Sequence, residues 1–348
     1  MIITHEVGQL DFGGVEKVIR NIIKYDKENV HQILAYKDGA YREELEKVGA
    51  KIIFTPKLGE DLEFDTDVLH VHSGGVVSEL ATNMGRTFPV IETIHSPIRS
   101  PMKQELIAQR VGVTDAVSKM NNNCLTIHNG IDFADLEIKK PADKIKEDLG
   151  IAAGVPVIGR VGRIAPDKCM EEWILTCYKL QQSGLDFVPL IVGGEARGLN
   201  GYVGKLKLLC ESLPLRGVVW AGEQLNVSDY LNIMDVFLYP SPTEGFGLVF
   251  IEAMYNDTVV VSFRNQITTE VLGGYSILTE ESIPALVEGV RLALDQNIKE
   301  SMIYSAKNWV MSKFSAERMS KDYQDIYKKA VINVYEHNKS KTIEFICS

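Results

Sequence analysis

Two glutamates eight positions apart are the most chemically informative feature of this chain. Glu244-Gly245-Phe246-Gly247-Leu248-Val249-Phe250-Ile251-Glu252 follows an apolar run, Val236 to Tyr239, and the turn residues Pro240 to Thr243. Carboxylates accept hydrogen bonds from paired hydroxyls, so such a pair suits a polyol. Gly245 and Gly247 let the backbone approach a ligand closely. A helix beginning near Leu248 offers its amino terminus to negative charge. Glu252 falls about one turn into that helix.

A second group is Gly159-Arg160-Val161-Gly162-Arg163-Ile164-Ala165-Pro166-Asp167-Lys168, at the end of the apolar run Val155 to Val161. Arg163 can make two parallel bonds to phosphate oxygens and Lys168 supplies a point charge, a pairing suited to a diphosphate. A basic surface loop is the plainer alternative. The third group, Asp11-Phe12-Gly13-Gly14-Val15-Glu16, lies between a first strand and a first helix. It could place backbone N–H groups beside an anion. Read alone, it fits an unliganded strand-to-helix turn equally well.

These loops need a scaffold, and the hydrophobic pattern supplies one. Strands are predicted at Ile2–Val7, Val30–Tyr36, Lys51–Thr55, Val68–His72, Val90–His95, Val113–Val117 and Leu125–His128. Helices are predicted at Gly14–Tyr25, Tyr41–Val48 and Gly75–Met84. The rhythm restarts with strands at Val155–Val161, Phe187–Val192, Val218–Ala221, Val236–Tyr239 and Val259–Ser262. Helices there are Met170–Gln182, Val203–Ser212, Val227–Met234 and Leu248–Tyr255, and Ile283 to His337 is nearly all helical in pattern. Alternation at this spacing predicts an α/β fold with parallel sheets and helices on both faces. The charged stretch Pro141 to Gly154 is the natural boundary. Ligands are then expected where strand C-termini face a cleft between two domains.

The 348 residues suit two domains. A formal net charge of −10 gives no global attraction for nucleic acid or anionic lipid, which argues weakly against such partners. Five cysteines with no CxxC pair argue against a disulfide framework or zinc site and fit a reducing cytosol. No apolar run reaches the roughly 18 to 20 residues that span a bilayer. The expectation is a cytoplasmic protein able to touch the inner membrane face.

Taken together, the motifs resemble the retaining GT-B glycosyltransferases of the family-four group (glycosyl transferases group 1). The resemblance runs through Gly13-Gly14-Val15-Glu16, Thr93-Ile94-His95-Ser96, Asn129-Gly130-Ile131-Asp132, Arg163 to Lys168, Gly193-Gly194-Glu195 and Glu244 to Glu252. It covers nearly the whole chain, and the spaced glutamates are its most specific part. It implies a GT-B architecture, two Rossmann-like domains with parallel sheets facing across a central cleft. Residues 1–140 would form the acceptor domain and 141–315 the nucleotide-sugar domain. Residues 316–348 would be a helix crossing back to the first domain, plus a loose tail.

The resemblance also implies roles. Arg163 and Lys168 would hold the donor diphosphate, Glu252 the ribose hydroxyls, and Glu244 the transferred sugar. Gly13, Gly14, Gly193, Gly245, Phe246, Gly247 and Leu248 would line the donor site, and His95 would face the sugar. Attack on the same face would retain the anomeric configuration, the leaving phosphate taking the acceptor proton. No metal or cofactor is expected beyond a nucleotide-sugar co-substrate, a UDP-hexose or alternatively a GDP-sugar. The acceptor would be a glycan, a lipid-linked group or another hydroxyl. Other readings on the same plan are a UDP-sugar 2-epimerase-like isomerase and a non-catalytic nucleotide-sugar-binding protein.

The chain departs from the family at four places: Cys169 follows Lys168 where glycine is usual, Tyr255-Asn256-Asp257-Thr258 follows the second glutamate, Arg264 to Glu270 lacks the usual glycines, and Ser118 to Leu125 is short, so a usual helix is clipped. Asp65 and Asp67 form an Asp-x-Asp that reads as loop more readily than as metal site. His70 and His72 share a strand face with His95 and His128 imagined nearby, and read as hydrogen-bonded core or cleft residues. Arg99, Lys103 and Arg110 suit either an anionic acceptor or a solvated helix face.

Overall fold

The computed structural model describes residues 1–55, 65–72 and 88–347, with side chains as far as Val334. The helix expected at Gly75–Met84 lies outside the described residues. The chain forms two compact units, Met1–Asp132 with Phe314–Ser348, and Phe133–Lys313.

The first unit holds a seven-stranded parallel sheet of order β3-β2-β1-β4-β5-β6-β7. Its strands are β1 (Ile2–Gln9), β2 (Val30–Lys37), β3 (Lys51–Phe54), β4 (Val68–Val71), β5 (Val90–Ile94), β6 (Gln109–Gly112) and β7 (Cys124–Thr126). The helix Gly14–Tyr25 turns Val18, Ile19, Ile22 and Ile23 inward, the spacing of one helical face. Ile19 and Ile23 pack with Val7, Leu10, Ile33 and Leu45. The long helix Ala316–Cys347 buries Met319, Tyr323, Ile326, Tyr327 and Ala330. The tail expected to be loose is therefore helical to Cys347.

The second unit holds a six-stranded parallel sheet of order β10-β9-β8-β11-β12-β13. Its strands are β8 (Val157–Val161), β9 (Val188–Val192), β10 (Val219–Gly222), β11 (Val236–Tyr239), β12 (Val259–Phe263) and β13 (Ile277–Thr279). The helix Met170–Gln182 presents Met170, Trp173, Ile174, Cys177 and Leu180 to a core that includes Ile158, Ile191 and Val236. In both sheets the strand order reverses once, beside β1 and beside β8, as in doubly wound folds.

One strand expectation fails. Val113–Val117 is not a strand: β6 ends at Gly112 and a helix, Asp115–Lys119, starts behind it. Thr114 caps that helix, its side chain accepting from the Val117 N–H, so the apolar run straddles two elements.

Candidate functional site

In the second unit, β8 and β11 pair directly, with Val236 beside Ile158 and Phe237 beside Gly159. They meet where the strand order reverses, so the loops leaving their C-terminal ends part and open a crevice. Lys168 stands in the 3-10 turn Pro166–Lys168 after β8, and Glu244 in the loop after β11. Lys168 Nζ lies 2.7 Å from Glu244 Oε1, their side chains only 14% and 13% exposed. The Tyr239 hydroxyl donates to the same oxygen at 3.2 Å. Burial, then the Glu244 charge, raises the Tyr239 pKa, so the phenol stays a donor.

Arg160 lies beneath this pair. It is fully buried, its Nη1 donates to the Lys168 carbonyl at 2.9 Å, and its guanidinium sits 5.1 Å from the Tyr239 ring centre. Its Nε and Nη2 have no hydrogen-bond partner among the described residues. Burial lowers its pKa. Arg163, further along the same loop, is exposed.

Glycines shape the surrounding backbone. Gly193 has φ 141°, and a Cβ there would run into the Gly162 carbonyl oxygen. The two loops are also tied by Ile164 N–H to Gly194 O at 2.8 Å and Ala196 N–H to Ile164 O at 3.0 Å. Glu195 is turned toward the helix Tyr202–Ser212, accepting from the Val203 N–H at 3.1 Å. Gly247, with φ 79°, starts the helix Leu248–Tyr255. Within that helix Glu252 is 4% exposed, while Phe246 is buried ahead of it and its neighbour Gly245 is buried too.

The departures from the family pattern now have a backbone explanation. Cys169 adopts φ 50° and Asp257 φ 58°, the left-handed region that glycine enters at least cost. Asn265 and Thr268 form a capping box at the start of the helix Gln266–Leu272, with Thr268 N–H to Asn265 Oδ1 at 2.9 Å. Side chains thus occupy that helix end in place of open glycine N–H groups.

In the first unit, Gly13 precedes the helix Gly14–Tyr25, and the Glu16 carboxylate folds back against it. His95 follows β5 and joins a row of imidazoles. Its Nε2 lies 3.1 Å from His72 Nδ1, His72 Nε2 3.1 Å from His5 Nδ1, and His5 Nε2 3.0 Å from His31 Nδ1. At the far end Asp26 Oδ2 lies 3.1 Å from His31 Nε2, an ion-pair contact set off the line of a hydrogen bond. Strand register explains the row: His5 pairs with His70, and His31 with Ile3, two residues from His5. All therefore project from one sheet face.

His70 stands beside the row. It bonds Tyr327 Oη and Thr93 Oγ1, each at 2.7 Å. Burial, then neighbouring imidazoles, pushes His5, His70 and His72 well below the usual histidine value, and burial pushes His95 down to about 4. Burial works to raise the Asp26 pKa, but contacts from His31, Asn29 and the Glu28 N–H outweigh it and hold the carboxyl low. Nitrogens of His5, His70 and His72 lie within 4.8 Å of one another. Both ring nitrogens of each are already hydrogen-bonded.

Three sequence-level candidates take structural positions. Arg110 is buried in β6 with its Nε 2.8 Å from Glu92 Oε2, so it is not an open site for an anionic acceptor. Arg99 and Lys103 are exposed and lie outside any helix. Asp67 Oδ2 accepts from the Ile2 N–H at 2.7 Å. His128 packs edge-on against Phe314, away from the imidazole row. Sequence reasoning missed Asp26, His5, His31, Arg160 and Tyr239. Arg160 and Tyr239 were visible beside the quoted motifs; His5 and His31 needed strand register, and Asp26 is marked only by its contact with His31.

Comparison with known proteins places this geometry. The family profile "Glycosyl transferases group 1" matches residues 141–309. The N-acetyl-alpha-D-glucosaminyl L-malate synthase of Bacillus anthracis is 23% identical over 289 residues, 75% of this chain and 74% of that protein. A solved glycosyltransferase from Rickettsia africae superposes with a TM-score of 0.82 at 19% identity, covering 95% of this chain and 98% of that one. Anabaena Alr3699/HepE, solved in complex with UDP and glucose, superposes with a TM-score of 0.79 at 18% identity, covering 94% and 100%. The architecture is the GT-B fold of these structures. Among the described residues, no helix is long and apolar enough to cross a membrane.

Proposed function

The chain belongs to the glycosyl transferases group 1, and from that premise we propose that it moves a hexose from a UDP-sugar to a hydroxyl acceptor, without a metal and with retention of configuration. The observation that carries this reading is the Lys168–Glu244 pair at the strand-order reversal of the second unit. A cation and a carboxylate side by side suit a ligand that carries both a diphosphate and hydroxyls. UDP and glucose in the HepE structure support the donor class.

On this reading Lys168 and Arg163 hold the diphosphate and stabilise the charge that grows on it as the glycosidic bond breaks. Glu244, steadied by Tyr239, accepts hydrogen bonds from the sugar. Glu252 serves the ribose, and Gly245 and Gly247 let the backbone close on the ligand. The acceptor attacks from the face the leaving phosphate occupies, and that phosphate takes the acceptor proton.

The test is thermal unfolding with a panel of nucleotides and nucleotide sugars in excess EDTA, since a ligand bound only by the folded state raises Tm. A shift with UDP and one UDP-hexose is expected, followed by transfer in an acceptor screen with that donor. A shift with GDP compounds alone would change the donor. No shift with any of them would remove the donor-site assignment.

A further inference from the structure

The imidazole row in the first unit has a direction. Each internal link joins Nδ1 of one ring to Nε2 of the next, from His31 to His5 to His72 to His95. A nitrogen–nitrogen link needs one proton, and a neutral imidazole carries one. Two arrangements satisfy the three internal links: every proton on Nε2, or the protons of His31, His5 and His72 on Nδ1. The choice is made at the end.

Asp26 stands at that end, its Oδ2 3.1 Å from His31 Nε2. The carboxylate is fixed by the Glu28 and Asn29 N–H groups at 3.0 and 3.2 Å and by Asn29 Nδ2 at 2.7 Å. It can only accept. A bare His31 Nε2 would set a lone pair against a negative charge in a buried site, whereas a protonated one is attracted to it. Once His31 is Nε2–H, its Nδ1 must accept from His5, and the condition passes ring by ring to His95.

We propose that Asp26 is a positioning residue that, through His31, His5 and His72, holds His95 in the Nε2–H tautomer and leaves its Nδ1 a bare acceptor at the C-terminal edge of the sheet. The row crosses the sheet from the entrance of β2 to the exit of β5, linking a buried anion to the edge where doubly wound folds receive ligands. His70 does not belong to the line: its partners are Tyr327 and Thr93, with Thr93 Oγ1 also 3.0 Å from Tyr323 Oη. Those contacts fix its ring beside His72, 3.9 Å between centres. A bare Nδ1 there can accept a hydrogen bond from a ligand hydroxyl.

The tautomer can be read without any substrate. The full chain labelled with 15N-histidine is examined at pH 7.5 by long-range proton–nitrogen correlation, with His95 assigned by His95→Gln. Wild type is expected to show His95 protonated on Nε2 and bare on Nδ1. Asp26→Asn, whose side chain can donate as well as accept, is expected to convert that signal to a mixture, and Asp26→Glu to restore it. Should Asp26→Asn fail to fold, His31→Asn cuts the row next to the carboxylate and is expected to give the same mixture. A wild-type His95 carrying its proton on Nδ1, or a tautomer unchanged in these variants, would overturn the proposal. Neither result depends on whether the protein transfers a sugar.

Discussion

Acid should unfold the first unit before the second. His5, His70 and His72 are held well below the usual value of 6.5, and His95 near 4. In the unfolded chain each titrates near 6.5. Because the folded values are the lower ones, the fold has its full stability above 6.5 and loses it as pH falls, when the unfolded state binds protons the folded state refuses. At pH 5 each such histidine costs at most about 2 kcal/mol, so the four together have a ceiling of about 8 kcal/mol. That matches the roughly 5 to 15 kcal/mol of a whole domain. Trp173, Trp220 and Trp309 all belong to the second unit, so tryptophan emission reports it alone while far-ultraviolet circular dichroism reports both. In urea titrations between pH 7.5 and 5, the dichroism midpoint should split and its lower limb should collapse while the emission midpoint moves little. A first-unit stability that stays flat from pH 6.5 to 5 would refute the neutral, buried array.

Lys168→Ala should lower kcat/KM at least about 100-fold, the scale of a lost charge-stabilising group, with an unchanged dichroism spectrum; full activity would remove Lys168 from the diphosphate. Gly193→Ala should destabilise the second unit by at least about 2 kcal/mol in urea unfolding, since φ 141° and the Gly162 carbonyl both oppose a side chain. Arg160→Met should leave that unit as stable or more so, because a buried guanidinium with two unpartnered nitrogens is replaced by an apolar chain. The same variant should slow transfer by freeing the Lys168 carbonyl, and a destabilisation above about 2 kcal/mol would show the guanidinium to be a net stabiliser.

Much of this was legible in the residues. The helices Gly14–Tyr25 and Met170–Gln182 run as their apolar spacing predicts, because each buries one face, and Leu248–Tyr255 runs as expected with Phe250 to Met254 buried all round. β6 was hidden because Gln109 and Arg110 break its apolar run, Arg110 being buried through its ion pair with Glu92. β13 has three residues at a sheet edge, too few for a pattern. The stretch Arg264 to Glu270, which lacks the usual glycines, opens the helix Gln266–Leu272, whose start Asn265 and Thr268 spell out. The imidazole row was out of reach for another reason: His5 and His31 stand on β1 and β2 and His72 and His95 just past β4 and β5, and only register puts them on one face. Periodicity reports what a strand buries, not which residues of other strands lie beside it.

The Lys168–Glu244 contact carries a consequence of definite sign. Without donor, Glu244 neutralises Lys168, so on the proposed function an incoming diphosphate must take Lys168 from that carboxylate. Glu244 then keeps Tyr239 and gains an open lone pair for a sugar hydroxyl, so phosphate capture and sugar recognition are coupled through one oxygen. Glu244→Gln removes the competing charge but leaves a side chain of the same shape. It should bind UDP as tightly as wild type or several-fold more tightly, a gain of about 1 kcal/mol for a partly buried pair, while losing most of the added affinity for UDP-hexose over UDP. Titration calorimetry of both ligands against both proteins gives the four affinities. Equal weakening of UDP and UDP-hexose would mean that Glu244 supports the loop rather than exchanging partners, and the coupling would be wrong.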